Sequence, residues 1–227
     1  QAGSPQTAST RVGFDAVSLN ISGDKRYDAG DIDGAVREYG RGLLIDPDNV
    51  NIHNSLGVCY GVMGDFVRAL GEFAAATRLD EREVMAVYNT GLIHSLRKET
   101  EKGLAFLKKA EALDGSLFEV VLQLGRVTLE AGDAETARQC LEKARALNPQ
   151  SGAVAFCLGE CYSALKRPRE AISAYQAAIK SDPYHAAALA ALGWLYHQRE
   201  ENREIALLFC EQSVKIAPET PLFRFRL

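Results

Sequence analysis

Six glycines limit what this chain can fold into. Gly23, Gly57, Gly91, Gly125, Gly159 and Gly193 follow one another at intervals of 34 residues without a slip. A fixed period of about 20–50 residues marks a chain built from stacked copies of one small unit. Numbering each unit so that this glycine is position 8 starts the units at Ala16, Val50, Val84, Phe118, Gly152 and Ala186. Leucine then fills position 7 in four units (Leu56, Leu124, Leu158, Leu192) and tyrosine fills position 11 in three (Tyr60, Tyr162, Tyr196). Alanine recurs at position 20 (Ala35, Ala69, Ala137, Ala171) and at position 27 (Ala76, Ala110, Ala144, Ala178). Proline recurs at position 32 (Pro47, Pro149, Pro183).

Those offsets describe two helices per unit. Positions 4, 7, 8 and 11 share one face of a helix, and positions 20, 24 and 27 share one face of a second. Small residues at 8 and 20 facing each other allow a close approach, with the large residues at 7, 11 and 24 filling the sides. The dipeptides Gly30–Asp31, Gly64–Asp65 and Gly132–Asp133 mark a tight turn inside the unit. Position 31 is Asp or Asn in five units (Asp46, Asp80, Asp114, Asn148, Asp182). With the following proline it predicts that the second helix stops there and that Pro opens the next one, where no N–H is needed. Each unit reads as a helical hairpin.

Apolar or aromatic at 4, Leu-Gly at 7–8, Tyr at 11, Ala at 20, aromatic at 24, Ala at 27 and Pro at 32 is a pattern that resembles the tetratricopeptide repeat family. The copy at 152–185 carries it best, with Leu158, Gly159, Tyr162, Ala171, Tyr175, Ala178 and Pro183. The resemblance covers residues 16–219, as repeats 16–49, 50–83, 84–117, 118–151, 152–185 and 186–219. It implies an all-α fold, an α-solenoid wound as a right-handed superhelix of tandem antiparallel helix hairpins. It also implies a concave inner wall that binds partner peptides.

Departures from the pattern carry expectations too. Repeat 84–117 has His94 at position 11, Gly103 at 20 and Gly115 at 32, and two helix-weakening glycines make it the expected point of flexing. Repeat 186–219 holds one extra residue within REENRE, in the turn between its helices. Residues 1–15 open on QAGSPQTAST, small and uncharged, and read as a linker or extension. Residues 220–227 read as the start of a seventh repeat or a capping helix; its apolar LFRFRL, where a solenoid would normally end in a polar cap, suggests an excerpt of a longer protein.

Few ordinary chemistries suit this sequence. A net charge of −4 leaves no basic footprint for nucleic acid, and no apolar run approaches the length of a membrane span, so neither nucleic-acid binding nor membrane insertion is expected. Five cysteines, an odd number, make no disulfide framework, and the first residues lack a secretory signal; the expectation is a cytoplasmic protein. Neither G-x-x-x-x-G-K-[ST] nor G-x-G-x-x-G occurs. Cys157 and Cys161 are spaced like metal ligands, yet position 10 elsewhere holds Ile93, Val127 and Leu195, and no partner pair exists. They read as buried thiols. His53, His94, His185 and His197 lie in four different units. No enzyme, cofactor or metal is expected.

What remains is the face of each first helix turned away from its core stripe. Positions 2, 5, 9, 12 and 13 lie there at about 100° per residue. The resemblance makes these the lining of a peptide groove. The candidates are Asn54, Met85, Tyr88, Asn89, Leu92, Leu122, Gln123, Arg126, Phe156, Glu160, Trp194 and His197. Position 5 holds Asn20 and Asn54, and position 9 holds Asp24 and Val58, where the family's clamp for acidic peptide C-termini uses Lys and Asn. A free acidic C-terminus is therefore not the expected partner. The expected function is a non-catalytic scaffold that binds a partner protein or peptide. The alternatives are a regulatory or substrate-presenting arm of a larger enzyme or signalling protein, and end-to-end self-association.

Overall fold

A computed structural model describes residues 6–199 and 203–219. Twelve α-helices and no strand occur among the described residues. After α1 (Gln6–Asp28) and α2 (Ile32–Ile45) come α3 (Val50–Val62), α4 (Phe66–Leu79), α5 (Val84–Leu96) and α6 (Thr100–Leu113). The remainder are α7 (Phe118–Glu130), α8 (Ala134–Leu147), α9 (Gly152–Ala164), α10 (Pro168–Ser181), α11 (Ala186–Gln198) and α12 (Arg203–Ile216). Five first helices, α3, α5, α7, α9 and α11, occupy positions 1–13 of their units. The five second helices from α2 to α10 occupy positions 17–30. The regular spacing of the glycines thus reappears as regular helix boundaries, and the protein is an all-α helical-repeat solenoid. The chain divides into two compact units, Gln1–Asp114 and Gly115–Leu227. Gly115 stands where other repeats carry proline.

Three local expectations change. Helix α1 begins at Gln6, inside the stretch read as a linker. Proline at position 32 does not open a helix: Pro47 and Pro149 sit in turns, three residues before α3 and α9. The helix starts are made by the residue at position 34, where Asn49 accepts from the Ile52 N–H at 3.1 Å and Ser151 from the Val154 N–H at 3.3 Å. Such caps stabilise by about 1 kcal/mol each. The acidic residue at 31 ends the preceding helix. Asp80 and Asp182 take N–H bonds two residues on, at 2.9 and 3.0 Å, which is the turn a short carboxylate makes with its own backbone. The third change concerns the glycine at 8. It faces the side chain at position 24 as well as the small residue at 20. A Cβ on Gly125 would meet Leu141 at 2.7 Å, and one on Gly159 would meet the Tyr175 ring at 2.5 Å.

Inside the hairpin the chain turns through a left-handed residue. Gly30, Gly64 and Gly132 supply it with φ of 79°, 78° and 90°. Lys98 and Lys166 hold the same place with φ of 62° and 56°, a conformation that side chains disfavour. The following Asp31, Asp65 and Asp133 cap the second helix through N–H bonds from Gly34, Arg68 and Thr136.

Each unit has its own core. In the first, Ala35, Tyr39, Ile52, Leu56 and Cys59 form one buried cluster and Ala69, Phe73, Ala76, Ala86 and Ile93 another. In the second, Leu141, Val154 and Leu158 centre one cluster and Tyr175, Ala188 and Leu192 the next. Each cluster joins one hairpin's second helix to the first helix of the next. Burial is therefore shared between neighbouring hairpins, as stacking requires.

Candidate binding faces

The first unit carries a mostly apolar face on α3 and α5. Val58 and Val62 follow each other by one turn on α3, as Leu92 and Leu96 do on α5. Val62 and Leu96 are 59% and 65% exposed, far beyond what packing would leave, and Met85 is also exposed. Val58, Tyr88 and Leu92 are half-buried beside them. Two of the polar candidates bind each other: the Asn89 amide donates to Asn54 Oδ1 at 3.2 Å, linking α5 to α3. Of this face, the candidates named from the sequence are Asn54, Met85, Tyr88, Asn89 and Leu92. Val58 and Val62, at positions 9 and 13 of the same helix face, are not among those candidates.

The second unit differs in chemistry. Leu122 and Phe156 are half-buried and pack against the α8–α9 core, so they serve that core at least as much as a surface. Phe156 also lies 5.8 Å from the Tyr175 ring and 4.7 Å from the His185 ring. Arg126 donates to Gln123 Oε1 at 3.4 Å, tying two candidates to one another. Glu160 is exposed, and its Oε1 accepts the hydroxyl of buried Tyr175 at 2.5 Å. The same tyrosine lies 3.2 Å from the Ser163 hydroxyl. Asp24 does for Tyr39 what Glu160 does for Tyr175, at 2.6 Å. A carboxylate at position 9 thus satisfies the one polar atom of a tyrosine plugged into the hairpin. Trp194 is half-buried, with the His197 ring 5.7 Å away. Glu160, Ser163, Ala164, Tyr175, Ala191, Trp194, Leu195 and Gln198 line a cleft of about 410 Å³ between α9, α10 and α11.

Three of the five cysteines, Cys59, Cys157 and Cys161, are poor nucleophiles. Burial pushes the thiols of Cys59 and Cys157 up to about 11 and that of Cys161 up to about 12. No group of three or more metal-ligating side chains occurs among the described residues. No described helix is long and apolar enough to cross a membrane. His94 is stacked on Phe106 at 5.4 Å and bonded to Glu99 at 2.9 Å, as a substitute for a packing tyrosine should be.

Comparison with known proteins agrees with this architecture. A family model described as tetratricopeptide repeat matches residues 60–116, 122–186 and 162–219, and a TPR repeat model matches 23–64. Anaphase-promoting complex subunit 3 of Schizosaccharomyces pombe is 27% identical over 175 residues, which are 76% of this chain and 26% of that protein. BBSome complex member bbs-4 of Caenorhabditis elegans is 22% identical over 95% of this chain and 48% of its own length. The chain therefore spans half or less of these curated relatives. Among solved structures, Pseudomonas aeruginosa pilF superposes with a TM-score of 0.85 at 20% identity, covering 94% of this chain and 97% of that one. YrrB, described as a TPR protein with an unusual peptide-binding site, superposes with a TM-score of 0.68 at 22% identity over 82% of this chain and 96% of its own. Matched over more than half its length by the family model, and built throughout from the hairpin that defines it, this chain belongs to the tetratricopeptide repeat family.

Proposed function

We propose that this chain is a non-catalytic interaction scaffold, and that the α3–α5 face of its first unit holds an apolar segment of a partner protein. The observation that carries this is the exposure of Val62 and Leu96 beside Val58, Tyr88 and Leu92. Side chains as exposed as Val62 and Leu96 contribute little to their own hairpin and would lose their contact with water on binding. Four such anchors burying about 100 Å² each yield roughly 10 kcal/mol. Association costs an estimated 4–15 kcal/mol, so a reversible contact is the expected outcome. The membership of two relatives in named multiprotein complexes supports a partner that is itself a protein.

The test is a paired capture from source-cell extract, with wild type and Val62→Glu/Leu96→Glu as baits matched in helicity and melting. A protein held by wild type and lost by the variant, and behaving the same way once purified, supports the reading. Identical catches would refute it. A second reading, that these repeats are one arm of a larger enzyme or signalling protein, is favoured by the small share of the relatives that the chain covers. A parent reading frame with a catalytic signature would support it. End-to-end self-association draws support from the exposed Ile205, Leu207 and Leu208 on α12, and light scattering across a concentration series decides it.

A further inference from the structure

We propose that the cleft between α9, α10 and α11 takes an arginine side chain of a partner protein. The inference rests on the scaffold reading but concerns a different unit and different residues. Glu160 is the starting point. One of its oxygens is occupied by the Tyr175 hydroxyl, and no cation pairs with it among the described residues. Glu160 on α9 and Trp194 on α11 both line the cleft described above. A carboxylate and an aromatic ring lining one cleft suit a guanidinium, whose plane can stack on a ring while its N–H groups reach a carboxylate. Gln198, which also lines the cleft, offers a further acceptor. Ammonium fits less well, being a compact charge that cannot stack and bond in one plane.

Neighbouring charge fixes where the cation can sit. A second hollow of about 500 Å³ shares Ser163, Leu195 and Gln198 with this cleft and carries Lys166, Arg167 and Arg199. Positive charge at that end confines the guanidinium to the end formed by Glu160 and Trp194. It also favours an acidic neighbour on the partner, lying toward Lys166. At about 410 Å³ the cleft is large enough for one arginine side chain.

Trp194 is the only tryptophan, so its emission reports on this cleft alone. The whole chain is titrated with N-acetyl-arginine-N-methylamide, with its neutral isostere N-acetyl-citrulline-N-methylamide, and with the lysine analogue. The expected result is a saturable change with the arginine probe, and binding of the citrulline probe about tenfold weaker, the usual effect of removing one charge-assisted hydrogen bond. Lysine falls between them. Glu160→Gln, which keeps an acceptor for the Tyr175 hydroxyl, weakens the arginine probe by a similar factor. The proposal is overturned if the arginine probe gives no saturable change, or if citrulline binds as well as arginine. Equal affinity in a Glu160→Gln chain that melts like wild type overturns it too. Should that variant melt early, the arginine–citrulline comparison on wild type decides alone. Loss of a partner on Val62→Glu/Leu96→Glu is read independently, so either idea can fail without the other.

Discussion

Two alanine substitutions, chemically identical, should move stability in opposite directions. Gly71 lies within α4 with nothing within 4 Å of the place a Cβ would occupy. Gly71→Ala therefore gains only helix propensity, about 1 kcal/mol. Gly159 lies within α9, where the same methyl would stand 2.5 Å from two carbons of the Tyr175 ring and 2.9 Å from a third. Tyr175 has no room to retreat, being 1% exposed and anchored through its hydroxyl to Glu160. Overpacking a fitted core costs about 1–3 kcal/mol. Distorting the hydroxyl's bond adds roughly 1 kcal/mol. Set against the same propensity gain, Gly159→Ala should destabilise by roughly 1–3 kcal/mol. Urea unfolding followed by far-UV circular dichroism and by Trp194 emission measures both variants, and agreement of the two probes checks that one transition is being read. Adding Tyr175→Leu to Gly159→Ala should recover part of the loss. A neutral or stabilising Gly159→Ala would refute the argument that the close approach to position 24 is what requires glycine at position 8.

Lys98→Gly and Lys166→Gly should each stabilise by about 1 kcal/mol, because both lysines hold left-handed φ without a glycine's freedom; thermal melting checks it. Acid should loosen the hairpin turns. Hydrogen bonds from Arg26 and from the Gly34 N–H hold the Asp31 carboxyl below its ordinary value, and the Arg68 backbone and side chain do the same for Asp65. A folded-state value below the unfolded one means stability that is present above about pH 4 and lost as the pH falls below it. Melting between neutral and acid pH should show a loss that Asp31→Asn and Asp65→Asn make shallower, and parallel curves would refute the assignment.

Much of this was legible because the repeat exposes it six times over. Glycine at 8 and alanine at 20 and 27 recur at fixed offsets, so the helices could be placed before any contact was known. Proline at 32 misled because its fixed φ suits a turn as well as a helix start, and Asn49 and Ser151 decide where the helix begins. QTAST reads as a linker by composition, yet small polar residues tolerate a helix when a continuous one follows. On the candidate faces, side-chain bonding hid from the sequence. That Asn89 reaches back 35 residues to Asn54, and that Glu160 is claimed by Tyr175, depend on how helices are set against each other. One sequence carries no pairing information of that kind.

The Asn54–Asn89 bond also bears on what a guest could sense. Carboxamides are the groups on this face best able to read a peptide's main chain, and these two are held at a fixed spacing by one bond between them. That bond uses a single Asn89 N–H and one side of the Asn54 oxygen, so both amides keep donors, and Asn89 its oxygen, for a guest. On the proposed reading the apolar side chains would supply grip without direction, while the asparagine pair would supply a direction along the guest. A segment and its reversed sequence should then seat with different strength, and exchanging the asparagines for leucine should narrow the difference.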